Sequence, residues 1–243
     1  MILDADLSQI EWRNAAWLSQ DATMIAEISN GVDQHAAACT ELMGLKLTKG
    51  NRQDAKIFNF RMIYADENSA AWAFHYDPVM PKFSLRKWEK IVTNFFDKYS
   101  GLLEWHKQIL QEVYKSGGYL SGPTGLTWQF EKQNKKNGPR DYNKGQIYNY
   151  PVQGISAQVL KLASIQALNK TKDLDAKLIM MVHDSLIWDV VKKDLDKLAN
   201  RSYNIFIGLP TSLSKFFNID FNVPLTGEIK VGPSWGTMKP YTI

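Results

Sequence analysis

The sequence predicts an α+β fold in which a largely antiparallel sheet carries a long helical excursion as a separate lobe. Three observations predict it. A strand pattern opens the chain, helical periodicity dominates to about residue 116, and hairpin signals fill most of the C-terminal half. Single strands do not alternate with single helices, which argues against a doubly wound parallel sheet.

Composition sets the outer bounds. The chain has 243 residues, 44% apolar and 12% aromatic with eight Trp, which is enough for one large domain or two small ones with a substantial core. The 29 basic and 25 acidic residues leave +4, a balance that permits a nucleic-acid partner without requiring one. A single cysteine, Cys39, excludes a disulfide framework and a thiolate zinc site, and fits a reducing, cytoplasm-like compartment. No apolar run approaches the ~20 residues of a membrane span, and no basic leader opens the chain.

The elements are expected in this order. Residues 1–7 form a strand, because Leu3, Ala5 and Leu7 alternate with Asp4 and Asp6. Helices are expected over 11–18 and over 34–45, the second with Ala36, Cys39, Leu42 and Met43 on one side. Gly50-Asn51 break the chain before a helix at 52–65, and further helices run over 69–75, 84–99 and 102–116. "SGGYLSGPTGLTWQF" sets turn residues between aromatic runs and reads as a hairpin. Residues 131–145 lack apolar periodicity and form a loop, whose Lys132, Lys135, Lys136, Arg140 and Lys144 are candidate phosphate contacts or a solvated surface. A helix is expected over 154–168 with Val159, Leu162, Ala163 and Ile165 inward, then a hairpin over 177–190 with His183-Asp184-Ser185 at its tip, a helix over 192–206 and a last strand in "NVPLTGEIKVG".

Three constellations carry chemistry. Asp6 ends the first strand, where a rigid sheet can fix a metal-ligating carboxylate and where Asp is equally an ordinary helix cap. Asp184 sits at a hairpin tip, where it is a turn residue or a second carboxylate facing Asp6. Two such groups can hold two Mg²⁺ ions ~3.5–4 Å apart across a phosphoryl transfer. Arg52, Lys56, Phe60 and Tyr64 recur every four residues along one helix face. Cations near a helix N-terminus oppose the helix dipole, so the stripe is either a solvated face or a dock for an anion such as a triphosphate.

In order, "DLSQIEWR" at 6–13, "RQDAKIFNFRMIY" at 52–64 and "VHD" at 182–184 resemble the three polymerase motifs of the DNA polymerase I family, family A. "QHAAACTELMG", "NYPVQG" at 149–154 and "EIKVGPSW" resemble its intervening and C-terminal segments, so the likeness covers nearly the whole chain. The resemblance implies a right-hand architecture, with palm at 1–20 and 119–243 and fingers at 21–118. It implies that Asp6 and Asp184 are the catalytic, metal-binding pair for two Mg²⁺, with Mn²⁺ as a substitute. By the same resemblance Arg52 and Lys56 bind the triphosphate, Phe60 packs on the sugar, Tyr64 stands at the templating position and Glu11 is the steric gate against a 2′-hydroxyl. His35 is a further nucleotide contact, and Arg13, Asn149, Gln153 and His183 contact primer–template DNA.

The chain departs from the family pattern at three places. Ser185 stands where glutamate is usual, Ala65 where glycine follows the helix tyrosine, and Gly145 where many relatives carry arginine, with Lys144 beside it. Asp4 adds a carboxylate that the motif lacks, a weak candidate ligand. Two other readings compete. A single-subunit phage-type RNA polymerase shares His-Asp-Ser, but Glu11 and Asn59-Phe60 oppose it. A non-catalytic DNA-binding accessory subunit would have no use for Asp6, Asp184, Arg52 and Lys56 together. Only five residues precede Asp6. That implies one half of a split polymerase or a fragment of a longer one, with thumb and first palm strands to come from a complementary chain, in a phage-infected bacterial cytoplasm or an equivalent reducing compartment.

Overall fold

The computed structural model describes residues 1–134 and 138–243, so Lys135 and Lys136 of the basic loop lie outside the described residues. The chain divides into two compact units, one of residues 1–13 with 153–243 and one of residues 14–152.

The first unit is built on a five-stranded antiparallel sheet. It contains β1 (Ile2–Leu7), β4 (Ala176–Val182), β5 (Ser185–Val190), β6 (Gly227–Gly232) and β7 (Lys239–Pro240), in the order β4-β5-β1-β6-β7. β1 is therefore central, with β5 on one side and β6 on the other, both antiparallel. The alternation seen in the sequence is realised: Leu3, Ala5 and Leu7 are buried on the face covered by helix α9 (Leu195–Phe217), which packs on β1 and β6. Leu198, Ile205, Phe206 and Leu209 of α9 supply that layer. The opposite face carries Asp4 and Asp6. Gly227 pairs with Leu7, and a Cβ there would lie 2.7 Å from the Asp6 carbonyl oxygen and run into the Phe206 ring. Only glycine allows α9 to approach so closely. The short β7 and the length of α9, which runs through Pro210, go beyond the sequence expectation.

The second unit is mostly helical: α2 (Ala22–Ser29), α3 (Gln34–Ala37), α4 (Lys49–Met62), α5 (Ala70–Tyr76), α6 (Leu85–Lys98) and α7 (Ser100–Ser116), with the hairpin β2 (Tyr119–Ser121) and β3 (Thr127–Gln129). The helix α1 (Ile10–Ser19) leads into it, and α8 (Lys144–Lys170) leads out. Its core is aromatic. Phe58, Phe74, Trp88 and Phe95 are buried with ring centroids 5.1–6.1 Å apart. Truncating one such ring costs roughly 3–5 kcal/mol.

Four expectations are corrected. Gly50-Asn51 do not break the chain: Thr48 caps α4 by accepting from the Asn51 N–H, and the cap outweighs the glycine. The expected helix over 34–45 is α3 followed by a π-helical stretch, Ala38–Leu42. α8 starts ten residues early and carries Pro151 within it. Ile165, expected inward, is 56% exposed, whereas Val159 and Ala163 are fully buried.

Candidate active site

The first unit fixes the carboxylates through backbone. Where β1 ends, the Leu7 N–H donates to the Asp184 carbonyl at 3.0 Å, tying the β4–β5 tip to the strand that bears Asp6. Asp6 faces Ser185 across the β1–β5 ladder, and the Ser185 hydroxyl donates to Asp6 Oδ2 at 2.8 Å. His183, beside Asp184, has φ +53°, and Gln9, between β1 and α1, has φ +54°. Both occupy the left-handed region that most side chains avoid. The two acidic positions are thus flanked by backbone that the paired strands hold in an uncommon conformation.

Their electrostatics are unrelieved. Burial pushes the Asp184 carboxyl above its ordinary value and the charge of Asp6 pushes it further, with Glu11 adding to both. A hydrogen bond to its own backbone and the charge of His183 pull the other way. Asp4 is raised as well, first by burial and then by Asp6, against a Ser185 hydrogen bond and Lys230. Crowded carboxylate oxygens suit a hard divalent cation. Among the described residues no three His, Cys, Asp or Glu side chains converge as one ligand set. Asp6 and Asp184 are the two carboxylates here that could take part in holding such a cation.

Around them, Glu11 is half-buried in the first turn of α1. Arg13 is largely spoken for: Nε donates to the Ser8 carbonyl at 2.8 Å, Nη1 to the Pro224 carbonyl at 2.6 Å and Nη2 to Thr226 Oγ1 at 3.2 Å. It anchors α1 to the segment entering β6, and two of its five N–H donors remain for a ligand. Gln153 is exposed on α8, one turn beyond the half-buried Asn149, and His183 is exposed at the hairpin tip.

The second unit holds the other candidates. Arg52, Lys56 and Phe60 share one face of α4, whereas Tyr64 lies just past its end. Lys56 is exposed, with Nζ 5.7 Å from the Phe60 ring centroid. Arg52 is not free. Nε donates to Asp33 Oδ2 at 2.8 Å and Nη2 to Asp33 Oδ1 at 3.1 Å. Asp33 also caps α3, accepting from the His35 and Ala36 amides. Burial would raise Asp33, but the Arg52 hydrogen bonds and the two amides hold it below the usual carboxylate range. Sequence reasoning missed this residue; the only signal was an Asp directly before "QHAAA", a helix-cap pattern. His35 is buried, its Nδ1 paired with the Asn59 amide at 3.2 Å and its Nε2 without a partner. Its ring lies 5.8 Å from that of Phe60. Burial and then the Arg52 charge, aided by Lys56 and opposed by Asp33, lower its pKa to about 4, so it is neutral at pH 7.

Tyr64 also lines a cavity of about 580 Å³ with Arg61, Asp66, Phe74, Tyr142 and Lys144. Lys144, the neighbour of the departure at Gly145, is committed to Asp66 at 2.9 Å. The structure thus gathers Asp6, Asp184 and Glu11 in one unit, and His35, Arg52, Lys56 and Phe60 in the other.

The chain is similar to known proteins along most of its length. The model of DNA polymerase family A matches residues 1–237. DNA polymerase I of Aquifex aeolicus is 30% identical over 199 residues, covering 80% of this chain and 33% of that protein. DNA polymerase I of Chloroflexus aurantiacus is 27% identical over 241 residues, covering 97% of this chain and 24% of that protein. The chain spans a third or less of the length of these relatives. A solved structure, the POL domain of Pol1 from M. smegmatis in complex with DNA primer-template and dNTP, superposes with a TM-score of 0.78 at 22% identity, covering 96% of this chain and 40% of that one. Among the described residues no helix is long and apolar enough to cross a membrane.

Proposed function

The chain belongs to DNA polymerase family A, and from that premise we propose that it carries out template-directed DNA synthesis, joining a dNTP to a primer 3′-hydroxyl with release of pyrophosphate. The observation that carries this reading is the backbone bond that ties the Asp184 tip to the end of the Asp6 strand. Two carboxylates that repel each other there are suited to two Mg²⁺ ions, or Mn²⁺ in their place. Bound at such a pair, the ions would lower the pKa of the attacking hydroxyl and neutralise the leaving oxygens.

The remaining roles are assigned residue by residue. Arg52 would grip the triphosphate after exchanging Asp33 for it, and Lys56, already exposed, would add a point charge. Phe60 would pack on the sugar, Glu11 would exclude a 2′-hydroxyl, and His35, neutral, would offer its unpaired Nε2 to the nucleotide. Tyr64 would stand at the templating position, and Arg13, Asn149, Gln153 and His183 would touch primer–template DNA. The division we propose by role is palm at 1–20 and 119–243 and fingers at 21–118; the compact units divide the chain by packing. A complementary chain with thumb and first palm strands belongs to the same proposal. Its support is β4, an edge strand whose Ile179, Met180 and Met181 are exposed.

Mg²⁺-dependent extension of a primer by this chain, with the complementary chain added, tests the reading. We expect dNTPs to be incorporated and rNTPs refused, with Glu11→Ala admitting rNTPs. Preference of the unaltered chain for rNTPs would favour the phage-type RNA polymerase, and absence of any incorporation would favour the accessory subunit.

A further inference from the structure

Asp4 is a buried acidic residue of the sheet unit to which DNA synthesis by an Asp6–Asp184 pair gives no task. It lies two residues before Asp6, so both side chains stand on the same face of β1. It is 7% exposed, and its Oδ1 makes no hydrogen bond. A buried carboxylate oxygen without a donor is rare and calls for a reason. The surroundings supply one. The Ser185 hydroxyl that donates to Asp6 Oδ2 is also within hydrogen-bonding reach of Asp4. On the other side Lys230 faces Asp4 across the β1–β6 ladder. Ser185 occupies the position next to Asp184 where the family pattern has glutamate, so this site lacks a carboxylate at 185 and has one at 4.

We propose that Asp4 is a positioning residue for the metal-binding pair, acting on Asp6 through Ser185, and that Asp4 and Ser185 together replace the glutamate of the family pattern. The inference rests on the two-metal reading. A serine hydroxyl has one proton to donate, and here two carboxylates compete for it. Without a cation the proton points to Asp6. With a cation held at Asp6, the hydroxyl would turn to Asp4, and no proton would leave the protein. Without Asp4 the proton has no second acceptor, stays on Asp6 and weakens it as a ligand. On this reading Asp4 acts from behind the ligand pair and is not a third ligand.

Binding of Mn²⁺ alone to the full chain, followed through the loss of the free-ion paramagnetic resonance signal, separates the possibilities. Asp4→Ala should weaken binding on the order of 10-fold, as expected for an outer partner of a metal ligand. The same substitution in a Ser185→Ala background should change it less than about twofold, because the shared hydroxyl is gone. Asp4→Ala with Ser185→Glu should recover most of the affinity, and that chain also guards against loss through misfolding. Unchanged affinity in Asp4→Ala, an equal loss in both backgrounds, or no recovery with Ser185→Glu would overturn the proposal. Asp6→Asn is the control for the reading beneath it: if that chain binds Mn²⁺ like the unaltered protein, the two-metal reading itself fails, whatever Asp4 does.

Discussion

The two units treat charge in opposite ways. In the sheet unit, Asp6 and Asp184 are held close by backbone and ladder bonds, and burial first and the Asp6 charge second raise Asp184. In the helical unit, Arg52 is paired bidentately with Asp33, and that carboxylate drops below its usual range. One site carries charge that its own fold does not neutralise. The other keeps its cation neutralised until something displaces a partner. The first arrangement suits a permanent catalytic centre, and the second suits a grip that engages with substrate.

The largest break in that comparison is expected from the acidic pair. Asp6→Ala or Asp184→Ala should lower primer extension on the order of 10³-fold, the effect of removing several kcal/mol of charge stabilisation. Synthesis at wild-type rate by either variant would remove the sheet unit from the chemistry. Next comes the packing that holds β1. Gly227→Ala forces a methyl group against Phe206 and the Asp6 carbonyl and should destabilise the chain by roughly 1–3 kcal/mol in thermal unfolding. An unchanged melting temperature would mean that α9 shifts without cost.

Acid should act on the helical unit. His35 and His106 both titrate at about 4 in the fold, chiefly because burial disfavours their charged form, against 6.5 when exposed. His106 pairs through Nε2 with the Ile63 carbonyl at 2.9 Å, and because a carbonyl only accepts, that nitrogen carries the N–H. Its ring stacks 3.9 Å from that of Tyr148. The unfolded chain therefore takes up these protons first. Stability is complete above about pH 6.5 and falls as pH drops towards 4. His106→Gln should flatten part of that decline in melting curves recorded across the range; an identical slope would assign acid sensitivity elsewhere. The smallest effect is expected at the latch. Asp33→Asn should free Arg52 and lower the KM for dNTP by no more than a few-fold, since a half-exposed pair contributes about 0–1 kcal/mol. A raised KM would instead show that Asp33 orients Arg52 for substrate.

Much of this was legible in the sequence where local pattern and final environment agree. The alternation in "LDADL" placed Leu3, Ala5 and Leu7 in the core and the acidic residues on the other face, and the two β-prone runs around His183-Asp184 became the hairpin. The features that escaped depend on partners distant in the chain. The sequence left Arg52 near a helix N-terminus as either a solvated cation or a dock for an anion, and Asp33 lies 19 residues away with no periodicity to link them. The anchoring of Arg13 to the Pro224 carbonyl escaped because the two lie 211 residues apart. Gly50 read as a break because its cost in a helix is visible and the Thr48 cap that offsets it is easily overlooked. Asp4 looked incidental until Ser185 was seen beside it.

The most direct test of the division between chemistry and grip is single-nucleotide incorporation measured against dNTP concentration for two variants. Asp184→Asn is predicted to lower kcat while leaving KM for the dNTP near that of the unaltered chain. Lys56→Ala is predicted to raise KM with a smaller change in kcat. The contrary result, Asp184→Asn acting only through KM or leaving incorporation intact, would contradict the assignment of catalysis to the Asp6–Asp184 pair.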